Sequence, residues 1–167
     1  EAAYREAAEA LAAARRAAAG RLDEAVSAEL PPLKLERARF VTDVDTAAEA
    51  DWGPDGTDRV AFTVATNPGS APGPLGRIAS GGELSRFMLA LKVVLAAADP
   101  VGTLVFDEVD SGIGGAVASA VGERLARLAR SVQVLVVTHS PQVAALADCQ
   151  LQVRKEVTDG TTATLIA

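Results

Sequence analysis

The sequence predicts an α/β domain built on a parallel sheet with crossover helices, entered through a long helix and closed by an antiparallel hairpin. Two observations carry this prediction. Between residues 83 and 157, helical and strand-like patterns alternate, an order that joins parallel strands through helices. Two apolar runs in that stretch, TLVF (103–106) and VLVV (134–137), have the length of buried strands and end in polar residues.

The elements follow in order. Residues 1–30 are alanine-rich, charged and free of proline until Pro31–Pro32, which end the helix. Tyr4, Leu11, Ala18 and Ala25 recur every seven residues, and Leu22, Val26 and Leu30 continue an apolar stripe. That spacing suits one strand of a coiled coil or helical hairpin; the alternative is a surface helix packed on its own domain. Residues 35–46 and 59–66 alternate apolar and polar, with Gly53, Pro54, Asp55 and Gly56 between them, and predict a long-looped antiparallel pair. Trp52 in that loop reads as a local packing anchor. The run NPGSAPGPLG (67–76) cannot be helix or central strand and is expected to be a linker. Next come a helix (83–98), a strand (102–106), a helix (114–130), a strand (132–137), a short helix (141–147) and a strand (149–157). Asp159–Gly160 turns the chain back through Thr162–Ile166.

Composition narrows the function. The chain has 167 residues and 16 basic against 22 acidic side chains, a net charge of −6. This opposes a generally basic nucleic-acid surface, though not a local patch. A single cysteine, Cys149, excludes an intrachain disulfide and favours a reducing compartment. No apolar run approaches the roughly 20 residues of a membrane span, and EAAYREAAEA has no signal-peptide pattern, so a cytoplasmic protein is expected. The chain starts within a helical pattern, as an excised fragment would.

Three segments carry chemistry. Ser80-Gly81-Gly82-Glu83 opens a helix with the spacing of a capping box, Ser80 as N-cap and Glu83 three residues on. The buried stripe behind it is Leu84, Phe87 or Met88, Leu91 and Leu95. Two glycines exceed what capping needs; they bare the first-turn N–H groups at the positive helix end, as a phosphate would require. Asp107 and Glu108 follow the strand at 103–106, at the carboxyl end where α/β sheets bind ligands. On an extended chain adjacent acids point to opposite sides, one toward a metal and the other toward a water. Asp110-Ser111-Gly112 and Gly114-Gly115 follow. Their glycines permit close backbone approach, or simply form a helix-entry loop. Finally Thr138 and His139 end the second strand, with Ser140 capping and Pro141 opening a short helix. His139, the only histidine, shares a sheet edge with the two acids if the strands are parallel neighbours.

The set SGGE, then FDEVDSGIGG, then VTHSPQVAALAD resembles the signature, acidic strand end, following loop and histidine segments of ABC-type ATPases, over residues 77–148. Within that class it resembles the RecN family, bacterial SMC-like DNA-repair ATPases, over nearly the whole chain. The resemblance implies the C-terminal lobe of an ABC/SMC-type head at 32–167: hairpin 35–66, linker 67–76, ATPase segments 77–148 and terminal hairpin 149–167. Residues 1–31 would be a coiled-coil root. It further implies ATP and Mg²⁺ as ligands, with Asp107 on the metal, Glu108 as catalytic base and His139 on the γ-phosphate. Ser80, Gly81, Gly82 and Glu83 would meet a nucleotide held by a second head, and Asp110 would line the head–head interface. The phosphate loop ending Gly-Lys-Ser/Thr lies outside this chain, where no Gly precedes Lys. The implied partners are therefore an N-terminal head segment of the same protein bearing that loop, a second head, and DNA at the nucleoid, with no membrane. This fragment alone would be inactive. Ala79 and Ser111 depart from common ABC usage. Two rival readings are a transporter-type cassette fragment, which predicts an intact phosphate loop and no coiled coil, and a non-catalytic lobe supplying only the signature face, which would need no base at Glu108.

Overall fold

A computed structural model describes residues 1–77, 81–96, 98, 101–158 and 161–167. Helix α1 (Ala2–Glu29) is built from strong helix formers and ends in a 3₁₀ turn at Pro31–Leu33, where proline forbids another helical hydrogen bond. Its buried residues are Ala8, Ala12, Ala19 and Val26. The last three recur every seven residues, one position beyond the row at Tyr4, Leu11, Ala18 and Ala25. The seam is filled within the chain, chiefly by the strand Arg39–Thr46. Within the described residues the helix packs on its own domain. Alanine suits the seam because a small side chain lets helix and sheet approach closely.

Strands β1 (Arg39–Thr46) and β2 (Asp58–Ala65) pair antiparallel from Arg39↔Ala65 to Thr46↔Asp58. The two-residue strand β3 (Gly73–Pro74) joins the free edge of β2. The predicted linker thus contributes an edge, the one sheet position that tolerates proline. The loop between β1 and β2 clasps the start of α1. The Tyr4 hydroxyl donates to the Gly53 and Gly56 carbonyls at 3.1 and 3.3 Å. Trp52 anchors that loop through its indole N–H to the Ala47 carbonyl at 3.0 Å, and Arg5 lies over its ring. At the other end of α1, Glu29 pairs with Arg124 and Arg127.

Helix α2 (Gly81–Leu95), strand β4 (Thr103–Phe106), helix α3 (Gly115–Leu128), strand β5 (Gln133–Val136) and the short helix α4 (Pro141–Ala144) follow in the predicted order. β4 and β5 are parallel neighbours, paired from Thr103↔Gln133 to Phe106↔Val136. Strands β6 (Val153–Thr158) and β7 (Thr161–Ile166) form the terminal hairpin; its Asp159–Gly160 turn lies outside the described residues, as do Ala79 and Ser80.

One core joins α1, β1, α2 and α3 through Val26, Leu30, Leu33, Phe40, Phe87, Leu89, Val121 and Leu128, each essentially inaccessible. Phe40 stacks tilted on both Phe62 and Phe87. The two parallel strands correct the sequence reading, which buried both of their faces. Leu104, Phe106, Val134 and Val136 join the core, but Val105, Leu135 and Val137 are 66%, 49% and 56% exposed. Helices α2 and α3 cover one face, and no described element covers the other. The terminal hairpin likewise leaves Leu151, Val153 and Ile166 about two-thirds exposed or more. No helix among the described residues is long and apolar enough to cross a membrane.

Candidate functional site

The site forms where β4 and β5 end. Phe106 and Val109 are both buried, so the two residues between them are forced outward. The chain manages this by turning at Glu108, which takes a left-handed backbone with φ of 55°. Glutamate rarely adopts that setting, which costs on the order of 1–3 kcal/mol and persists only where surrounding contacts impose it. The turn closes through the Ser111 N–H to the Glu108 carbonyl at 3.0 Å. It also corrects the expectation of opposed acids: because Glu108 is not extended, Asp107 and Glu108 line the same cleft.

That open cleft, about 360 Å³, is lined by Asp107, Glu108, Asp110, Ser111, Gly112, Val137 and His139. The parallel pairing of β4 with β5 sets the imidazole on the same rim as the two acids. His139, Asp107 and Glu108 are all exposed.

Asp110 is held inside the chain. Its carboxylate accepts the Thr138 hydroxyl, the His139 N–H at 3.2 Å and the Ser140 N–H at 3.0 Å. Partial burial pushes its pKa up, but the Thr138 hydroxyl and the converging backbone N–H groups outweigh this and hold it below the usual carboxylate range. The aspartate therefore clasps the corner after β5 to the loop after β4. Ser140 caps α4 through the Val143 N–H and Pro141 opens that helix, as the sequence predicts.

The N-terminus of α2 closes the other side. Gly81 is exposed, and a Cβ there would stand 3.6 Å from a Glu108 carboxylate oxygen. Gly82 is buried: a Cβ would come within 3.0 Å of the Ser111 carbonyl oxygen. The glycine pair thus serves two purposes, an open first turn at Gly81 and close loop packing at Gly82. Glu83 is half-buried in that first turn. Ser80 lies outside the described residues, so its capping role is not part of this description. In the following loop, Gly112 and Gly115 take positive φ of 71° and 55° with no atom near their missing Cβ. Both lie in the turn into α3.

Sequence reasoning missed two residues of α2. Ser85 donates its hydroxyl to the Asp107 carbonyl at 3.2 Å, and Arg86 donates from Nη1 to the Ser111 carbonyl at 3.1 Å. Arg86 is 5% exposed, a charged residue buried as a whole on the core side of α2. Burial lowers its pKa, while Glu83 nearby raises it. The available signal was its spacing: Gly82, Arg86 and Leu89 follow the buried row of the helix, where an arginine is out of place unless something polar awaits it.

Among the described residues, no three His, Cys, Asp or Glu side chains gather as a metal cage. Mg²⁺ needs no such cage, because it commonly takes one or two carboxylates together with phosphate oxygens and water. The exposed Asp107 carboxylate beside Glu108 fits that requirement.

No protein-family model matches the chain. Among curated proteins it is 49% identical to DNA repair protein RecN of Streptomyces coelicolor over 158 residues, covering 89% of this chain and 28% of that protein. It is 48% identical to RecN of Rickettsia bellii, covering 84% and 25%, and 48% identical to RecN of Mycobacterium leprae, covering 87% and 28%. The chain therefore spans about a quarter of the length of these relatives. Among solved structures it resembles the Smc head domain with an extended coiled coil from Pyrococcus furiosus, with a TM-score of 0.57 over 87% of this chain and 34% of that one. The Smc head with a coiled coil and joint from Pyrococcus yayanosii gives the same TM-score over 86% and 26%. At 17% and 18% identity these are likenesses of fold.

Proposed function

The chain is a RecN-type segment with an SMC-head fold, and on that premise we propose that it is the C-terminal lobe of an ATPase head acting in DNA double-strand-break repair and recombination. One observation carries the proposal: the left-handed turn at Glu108 brings both acids into a single cleft with His139, beside the open first turn of α2.

Each residue has a role that follows from its surroundings. Asp107 would hold Mg²⁺, which when bound offsets the charge of the phosphates. Glu108 orients the attacking water and accepts its proton. His139 offers a hydrogen-bond donor toward the γ-phosphate from the neighbouring strand end. The first turn of α2, with Gly81, Gly82 and Glu83, presents N–H groups and a positive helix end to a nucleotide held by a second head, and Ser80, the residue before it in sequence, would contact the same nucleotide. Asp110 lies at the border of that head–head contact, although its carboxylate is engaged within the chain. ATP would thus be sandwiched between heads, and its hydrolysis would remove the bridge and let them part.

The phosphate-cradling loop would come from an N-terminal segment of the same protein. The bare apolar face of β4 and β5 supports this, since a surface of Val105, Leu135 and Val137 suits a covering polypeptide. Helix α1 would then be the root of a coiled coil leading to that segment, and DNA at the nucleoid the ultimate substrate. The deciding experiment is Glu108→Gln in the complete protein. It should lower the rate of ATP turnover by about 10²–10⁴-fold, the usual contribution of a general base, while ATP-dependent pairing of heads persists. Turnover at the wild-type rate would reject the base assignment.

A further inference from the structure

Arg86 is unexplained by the roles above. A buried guanidinium is costly unless its donors are met; Glu83 favours its charge and Nη1 meets the Ser111 carbonyl, but Nε finds no acceptor among the described residues. Core arginine on an otherwise aliphatic helix face would be replaced by leucine if packing were its only purpose.

Its position relative to the acidic loop gives it a purpose. The loop 107–111 is gripped by α2 at both ends, Ser85 on the Asp107 carbonyl and Arg86 on the Ser111 carbonyl. The Ser111 N–H in turn closes the turn on the Glu108 carbonyl. Across the loop, Asp110 fastens the β5 corner. Gly82 lies against Ser111 with no space for a side chain, so the α2 N-terminus cannot move toward the loop without displacing Ser111, and the Arg86 hydrogen bond resists its moving away. Glu108 sits in the middle of this bracket in a backbone setting that it would not hold unaided.

We propose that Arg86 is a positioning residue: it locks the first turns of α2 to the Ser111 carbonyl, so that the helix end facing a second head and the left-handed turn carrying Glu108 move as one block. Engagement of the helix end would thereby set the carboxylate for reaction. The inference rests on the ATPase reading, with Glu108 as base.

The test uses the complete protein and ATP with Mg²⁺. Arg86→Met, of similar length but without donors, should lower kcat by about 100-fold, the scale of an ångström of misplacement. KM for ATP should change little, and ATP-dependent head pairing should survive. Arg86→Lys, which keeps a charge and a donor but loses the fork, should fall between Met and wild type. The informative readout is non-additivity. In a Glu108→Gln background, Arg86→Met should reduce the residual single-turnover rate less than about twofold, because a residue acting through Glu108 has nothing left to position. A full 100-fold further loss, or an unchanged kcat in both single variants, would overturn the inference. If Arg86→Met does not fold, Arg86→Lys is held to the same two criteria with its own smaller factor. Normal turnover in Glu108→Gln alone would instead overturn the reading beneath it.

Discussion

The two halves of the molecule use apolar surface in opposite ways. In the wedge of α1, β1, β2, α2 and α3, most large side chains are buried, with Leu11, Val60 and Phe62 the exceptions at 37%, 45% and 37% exposure, and polar ties cross it from Asp23 to the Thr42 N–H and from Glu29 to Arg124 and Arg127. In β4 and β5 one face holds the core and the other lies open, with Val105 at 66% exposure, while no described residue of the terminal hairpin joins the core and Leu151 is 71% exposed. The first half closes most of its apolar surface by itself; the second has the character of a half-built core. The cleft with Asp107, Glu108 and His139 lies at the seam between them, anchored to the complete half by Ser85 and Arg86.

The largest effect expected on this chain comes from the complete half. Phe87 is 1% exposed and stacks on Phe40. Phe87→Ala should cost about 3–5 kcal/mol of unfolding stability, a transfer loss plus a cavity, read from urea denaturation. A loss below about 1 kcal/mol would mean that α2 does not depend on this wedge, and the contrast between the halves would fail.

An intermediate effect is expected at the seam. Asp110 has a folded pKa below its unfolded value, which for aspartate is about 3.9. Its stabilising contribution is therefore complete above the unfolded pKa and disappears as pH falls through the folded one. Asp110→Asn should lower stability at pH 7 by less than Phe87→Ala does, and its deficit against wild type should shrink on acidification below about pH 4. Urea midpoints across that range measure it. A deficit that grows in acid would reverse the sign of the argument and remove Asp110 as the clasp between the two strand ends.

Much of this was legible in the sequence because local chemistry dictates it. Pro31–Pro32 end a helix wherever they occur, strand-and-helix alternation forces parallel pairing of β4 with β5, and polar residues after each apolar run bring the acids and His139 to one rim. The errors have a shared physical origin. Periodicity reveals that a face is apolar, but not what covers it, so the strands were assigned two buried faces and the buried alanines of α1, Ala8, Ala12 and Ala19, were not singled out. The left-handed turn at Glu108 was invisible because it is imposed from outside, by the burial of Phe106 and Val109 on either side. Arg86 was missed for the converse reason: a charge on a buried row reads as an interruption until the Ser111 carbonyl that it meets is known.

The smallest effect on this chain tests the incomplete half most directly. Leu135 lies in the centre of β5, paired with Val105, and is 49% exposed. In the isolated chain Leu135→Ser should change stability by no more than about 0.5 kcal/mol, as surface substitutions do, because little apolar area is lost from any core. In the complete protein the same change should cost about 1.5–3 kcal/mol, the value of burying a leucine side chain, if an N-terminal segment covers this face. The difference between the two measurements, rather than either alone, reports the covering polypeptide. A negligible cost in both would make the face a permanent surface, and the proposed phosphate-loop segment would then have to join the cleft by another route.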